Sequence, residues 1–242
     1  MDAETITLAT PDGPMDVYVA RSPSPADPPR AVIVVQEAFG VNEHIEDVTR
    51  RFAGAGYLAV APHLFHRSGG GTIAYDDRDG MARHVAAVAD EHTLDDLDAM
   101  LEWLRTEGID NRRVGVVGFC FGGRVAFLVA TRRSIGAAVG FYGGGIVHAR
   151  SDARPSLLPG VPAMQTPWLG LFGDADESIP ADDVEAIEAA LASAPVSTEV
   201  QVYANAGHAF LNDTRPDRHV PEAAGEAWSR TLTWFDEHLA GG

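Results

Sequence analysis

Ala31–Val35 reads Ala-Val-Ile-Val-Val, an unbroken β-branched apolar run with no polar residue alternating through it. A strand of that kind is satisfied only where both of its faces are covered, in the interior of a parallel sheet. Comparable runs occupy residues 57–61, 113–117, 136–141, 168–172 and 198–203. Helical patterns alternate with them at 44–54, 94–106, 123–131, 181–192 and 221–239, several opening on an acidic residue and closing at Gly or a basic residue. Repeated strand-then-helix order predicts an α/β fold, a mostly parallel sheet of about seven to eight strands flanked by helices and joined by right-handed crossovers. Residues 6–9 and 15–20 alternate polar and apolar around Pro11-Asp12-Gly13, which predicts an antiparallel hairpin at the N-terminal edge. The Pro-rich stretch 22–30 and the Gly-rich stretch 68–72 read as surface connections, so residues 1–242 are expected to form a single domain.

The chain carries 35 acidic residues against 18 basic ones, a net charge of −17, which argues against a nucleic-acid partner. Every basic residue is arginine, and without lysine neither Schiff-base chemistry nor a Walker-type phosphate loop is available. One cysteine excludes an intramolecular disulfide, and residues 1–10 lack the basic-then-apolar order of a signal peptide, so a cytoplasmic protein is expected. No apolar stretch approaches bilayer length, and no membrane partner is expected.

That single cysteine lies in Gly118-Phe119-Cys120-Phe121-Gly122-Gly123, where a strand pattern turns abruptly into a helix pattern. The spacing is that of a nucleophile elbow, a turn so sharp that side chains two before and two after the nucleophile would collide. The plainer reading is a small buried hydrophobe. At a helix start, the macrodipole and free N–H groups would favour the thiolate over the thiol. The other reactive residues follow later strands. Run 168–172 leads into Gly173-Asp174-Ala175-Asp176, and run 198–203 into Asn205-Ala206-Gly207-His208. Nucleophile, acid and histidine in the order Cys120, Asp176, His208 form a candidate triad at the carboxyl ends of the strands. Asp174 competes for the acid role. The Gly173-x-x-Asp176 spacing before Pro180 favours Asp176, because an Asp directly after the Gly more often caps the turn.

Gln36-Glu37-Ala38-Phe39-Gly40 follows the first parallel run and is placed to supply half of an oxyanion hole. The expected donors are the backbone N–H groups of Phe121 and Ala38. Glu37 is either a solvated loop residue or a carboxylate buried at some cost beside the nucleophile.

Taken together, Gln36-Glu37-x-Phe39-Gly40-Val41-Asn42, Gly56-Tyr57 with Ala61-Pro62-x-Leu64-Phe65, the Cys120 elbow, Gly173-x-x-Asp176 with Pro180, and Ala206-Gly207-His208-x-Phe210 resemble the dienelactone hydrolase (carboxymethylenebutenolidase) family of α/β-hydrolases. The resemblance implies the α/β-hydrolase fold, a Cys120, Asp176 and His208 triad, and hydrolysis of a small enol lactone without metal or organic cofactor. It also implies that Glu37 holds the resting thiol and accepts its proton when substrate displaces it. Two positions depart from the family. In the family an arginine four residues after the histidine helps bind the substrate carboxylate, and here that place is Asn212; a second family arginine falls on Arg78, the candidate substrate-binding residue, while its companion tyrosine becomes Ala82. Residues 143–165, rich in Gly, Pro and Arg, suit either a partial lid or a disordered excursion.

A cysteine nucleophile restricts the chemistry further. Thiolate leaves more easily than alkoxide, so attack on an ordinary alkyl ester reverses, whereas a stabilised leaving group such as an enolate drives acylation forward. The expected activity is therefore hydrolysis of an enol lactone or activated ester. An aryl esterase or thioesterase of the same fold shares every motif; a non-catalytic ligand-binding protein would normally lack part of the triad.

Overall fold

The computed structural model describes residues 2–239, so Met1 and residues 240–242 of the expected single unit lie outside it. Among the described residues eight strands form one sheet: β1 (Asp2–Thr10), β2 (Gly13–Arg21), β3 (Ala31–Val35), β4 (Leu58–Pro62), β5 (Val114–Phe119), β6 (Ala137–Phe141), β7 (Trp168–Gly173) and β8 (Thr198–Tyr203). Their order is β1-β2-β4-β3-β5-β6-β7-β8. The strands from β4 to β8 run parallel, whereas β1 pairs antiparallel with β2 and β2 antiparallel with β4. All residues of β3, β5, β6 and β7 are buried, as continuous apolar runs require when helices cover both faces.

Among the described residues six helices supply that cover: α1 (Glu43–Gly54), α2 (Arg78–Ala86), α3 (Asp90–Thr106), α4 (Phe121–Arg132), α5 (Ala181–Leu191) and α6 (Pro221–His238). Phe52 of α1 packs on Trp228 and Phe235 of α6, joining those two helices over one face. Helix α4 packs on β5 and β6 and also touches α3. No helix among the described residues is long and apolar enough to cross a membrane.

Two features differ from the sequence expectation. Helix α2 lies where no helical pattern stands out, because its core-facing residues are sparse and Gly80 interrupts it; the Asp77 carboxylate starts it by accepting the Gly80 N–H at 2.8 Å. Helix α3 begins at Asp90, a full turn before the first leucine, because its opening turn, Asp90-Glu91-His92-Thr93, is polar and carries no apolar period. Residues 143–165 are ordered rather than an excursion, with a bridge between Ser151 and Arg154 and a 3-10 segment at Leu158–Ala163.

Candidate active site

Because β3, β5, β7 and β8 are parallel, the loops that leave their carboxyl ends gather on one rim. Val35 pairs with Gly118 and Gly173 with Tyr203, which brings the ends of these four strands level. From this rim the chain turns at Cys120 with φ 56° and ψ −112°, a conformation unfavourable for a side-chain-bearing residue. Packing enforces the bend. A Cβ on Gly118 would sit 1.8 Å from the Gly122 carbonyl oxygen, and one on Gly122 would sit 2.4 Å from that of Val35. The Cys120 N–H donates to the Phe141 carbonyl at 3.0 Å, while the Cys120 carbonyl accepts from Gly123 at 3.0 Å, so both sides of the bend are tied. Cys120 is partly exposed and stands at the N-terminus of α4.

The loops after β7 and β8 bring Asp176 and His208 together. His208 Nδ1 lies 2.7 Å from Asp176 Oδ2, and Asp176 is 5 % exposed. With Nδ1–H donated to the carboxylate, Nε2 is the nitrogen left for the thiol. Burial works to lower the His208 pKa, but the Cys120 charge, hydrogen bonds to Asp176 and Cys120, and the Asp176 charge outweigh it and push it up to about 10. For Asp176 burial acts upward, yet the His208 and Ser178 hydrogen bonds and the His208 charge hold it below the usual carboxylate range. Asp174 is engaged elsewhere: its Oδ1 accepts the Asn205 N–H at 2.6 Å and closes the turn.

Ser178 completes this cluster and was not singled out by sequence. Its hydroxyl donates to Asp176 Oδ1 at 2.6 Å and lies 3.0 Å from His208 Nδ1, while its N–H donates to the same Asp176 oxygen at 2.9 Å. The Asp176-x-Ser178 spacing, which lets the carboxylate accept a backbone N–H two residues on, was the available signal. Tyr142, also unflagged, carries its ring 5.2 Å from that of His208 and has φ 37°.

Glu37 is buried, at 1 % exposure. Burial raises its pKa, countered in part by the charges of His208 and Arg215 and by a hydrogen bond from Asn212. Among the described residues the hydrogen bond to Glu37 comes from Asn212 Nδ2, at 3.1 Å, rather than from the Cys120 thiol. Asn212 Nδ2 also lies 3.0 Å from the Tyr75 hydroxyl, which Asn42 Nδ2 reaches at 3.1 Å. The Phe121 N–H occupies the first helical position, where the helix offers it no acceptor, and the Ala38 N–H makes no backbone hydrogen bond among the described residues. Glu37, Ala38, Arg78, Cys120, Phe121 and His208 all line one cavity of about 660 Å³. Among the described residues no three His, Cys, Asp or Glu side chains group as a metal site would require.

The model of the Dienelactone hydrolase family matches residues 15–239. An Escherichia coli (strain K12) protein named "Putative carboxymethylenebutenolidase" is 40% identical over 227 residues, 93% of this chain and 83% of its own. The Pseudomonas putida carboxymethylenebutenolidase is 34% identical over 241 residues, 97% of each chain. The crystal structure of a "Putative Dienelactone Hydrolase" from Klebsiella pneumoniae superimposes with a TM-score of 0.89 at 38% identity, covering 98% of both chains. On a matching fold and a family match that runs from β2 through α6, this chain belongs to the dienelactone hydrolase family and is a hydrolase of the carboxylic ester or lactone type.

Proposed function

We propose that the chain hydrolyses an enol lactone or activated ester through a thioester on Cys120, with Asp176 and His208 completing the triad. The observation that carries this reading is the 2.7 Å contact between Asp176 and His208 Nδ1, which leaves the other ring nitrogen for the thiol that lines the same cavity. The Cys120 thiolate attacks the carbonyl carbon, and the developing oxyanion accepts hydrogen bonds from the Phe121 and Ala38 N–H groups. As the carbon–oxygen bond breaks, the His208 imidazolium returns a proton to the enol oxygen. Neutral His208 then takes a proton from water, whose oxygen attacks the thioester; the thiolate departs and the acid is released. Asp176 orients the ring throughout and stabilises its charged form. Glu37, raised by burial, is the group we assign to accept the thiol proton when substrate displaces the thiol. The cavity suits a small-molecule substrate, and we assign the activity to the cytoplasm.

Two measurements test this. Cys120→Ala should abolish turnover of enol lactones and aryl esters while retaining the wild-type circular dichroism spectrum and Tm. Acid quench of the wild-type enzyme during turnover should add one acyl mass to the peptide carrying Cys120. Wild-type turnover in Cys120→Ala refutes the proposal. A panel of enol lactones, aryl esters and thioesters then ranks the leaving groups and separates the lactonase from an aryl esterase or thioesterase.

A further inference from the structure

Charge pairing across the molecule is uneven in an informative way. Most arginines reach a carboxylate within 4 Å, including those far out on the surface. Among the described residues the arginines with no such partner are Arg78, Arg83, Arg113, Arg150, Arg154 and Arg215. Four of these, Arg78, Arg150, Arg154 and Arg215, line the cavity that holds Cys120. In a chain of net charge −17, where carboxylates are plentiful, that concentration calls for a ligand.

Arg154 is the most demanding of the four. It is 9 % exposed, and its Nε has no hydrogen-bond partner. A buried guanidinium without an anion is strongly unfavourable unless something else satisfies it. Its neighbours do not. The nearby Arg124 is already consumed, its Nη1 and Nη2 on Asp90 at 2.5 and 2.9 Å, its Nε on the Gly145 carbonyl at 2.9 Å, and Nη2 again on the Pro155 carbonyl at 2.9 Å. Asp90 is thereby taken by Arg124. Arg215 rests over the Tyr75 ring at 4.6 Å, and Arg78 is exposed.

The position of Arg154 is also built. The Arg150 N–H donates to the Arg154 carbonyl at 2.9 Å and the Arg154 N–H to the Ser151 carbonyl at 3.0 Å, so the two arginines flank one tight turn. The Asp90 N–H donates to Ala153 within that turn at 3.1 Å, and Arg124 ties down both of its shoulders through Gly145 and Pro155. A Cβ on Gly145 would lie 2.7 Å from Arg150 Nε, so the second guanidinium is laid across that glycine.

We infer that Arg150 and Arg154, on the turn after β6, form a subsite for an anionic group, carboxylate or phosphate, carried by the substrate whose carbonyl meets Cys120. This adds two specificity-determining residues to the proposed activity and rests on that reading for turnover, while ligand binding tests it separately. Paired guanidiniums hold either anion through charge-assisted, often bidentate hydrogen bonds.

The binding experiment uses calorimetric titration of Cys120→Ala protein with glutarate, inorganic phosphate and neutral glutaramide. Glutarate or phosphate should bind measurably better than glutaramide, and the tighter of the two identifies the anion. Adding Arg154→Gln should weaken anion binding about tenfold or more, the scale of a lost hydrogen bond between charged groups. Arg150→Gln, an exposed change that keeps the assay decisive if Arg154→Gln fails to fold, should weaken it in the same direction. Arg83→Gln, exposed and outside the cavity, should leave it unchanged. In turnover, the preference for 4-nitrophenyl hemiglutarate over 4-nitrophenyl acetate, taken as a ratio of kcat/KM, should fall about tenfold in Arg154→Gln, mostly through KM. Equal anion affinity in the parent and both arginine variants overturns the inference, as does the absence of anion binding. Absence of turnover with anion binding intact would sink the hydrolase reading and leave the subsite standing.

Discussion

Asn212 Nδ2 donates to Glu37 Oε2 at 3.1 Å, so among the described residues the side chain hydrogen-bonded to the buried carboxylate beside the nucleophile is a neutral one. A neutral donor lowers the carboxylate pKa less than a cation would, and burial leaves Glu37 raised. A carboxylate raised in the folded state adds stability that is complete below its ordinary value of 4.5 and is lost as pH rises through the folded value. Glu37→Gln should therefore raise Tm at pH 8 relative to wild type and match wild type near pH 4, read by thermal unfolding. If Glu37 accepts the thiol proton, the same variant slows acylation.

The elbow permits a sharper test. A Cβ on Gly118 would approach the Gly122 carbonyl oxygen to 1.8 Å, and backbone cannot step aside as a flexible side chain can. Gly118→Ala should cost about 3 kcal/mol or more, at or beyond the upper end of ordinary overpacking, and should remove esterase activity in whatever fraction folds. Urea denaturation and turnover of an aryl ester check the two halves. Gly225→Ala, where a Cβ on α6 meets nothing within 4 Å, should by contrast be tolerated or mildly stabilising.

Most of the sheet was legible because each buried strand is an unbroken apolar run and each long helix has a clear apolar face. The elbow was legible for a steric reason: the glycines flanking Cys120 are residues the turn cannot do without. Asp176 could be separated from Asp174 by turn chemistry alone, and the structure places Asp176 against His208 while Asp174 caps the turn. What escaped depends on encounters between distant segments. The hydrogen bonds joining Glu37, Asn212, Tyr75 and Asn42 span three loops, and no local pattern announces them. Helix α2 escaped because it is held by a cap rather than by apolar periodicity. Arg150 and Arg154 read as composition until their lack of partners became visible.

His208 sets the alkaline behaviour. Its pKa rises from the ordinary 6.5 to about 10, so the imidazolium persists across neutral pH and is lost as pH passes through about 10. The associated stability is complete below pH 6.5 and disappears over the same alkaline window. The kcat/KM profile for an aryl ester should fall on that limb. Asp176→Asn removes the charge that orients and supports the ring, so the limb should move toward acid and kcat should drop on the order of 10³-fold or more. A profile whose alkaline limb stays in place in Asp176→Asn would detach His208 from Asp176.

Arg124 and Asp90 form the buried ion pair that fixes the turn bearing Arg150 and Arg154, with Arg124 Nη1 on Asp90 Oδ1 at 2.5 Å and both side chains nearly inaccessible. Arg124 also lines the cavity, so its loss acts on both stability and site shape. Arg124→Met leaves the Asp90 carboxylate buried without its partner and should destabilise by about 3–5 kcal/mol. Arg124→Met combined with Asp90→Leu removes both charges together, and the desolvation penalty disappears with them. The double variant should therefore recover much of the loss, giving a coupling energy of about 1–3 kcal/mol in a denaturant double-mutant cycle. The carbonyls of Gly145 and Pro155 lose their donor in both backgrounds. Any rise in KM for an anionic ester should consequently persist in the double variant after stability has returned, which separates anchoring of the turn from stability of the fold.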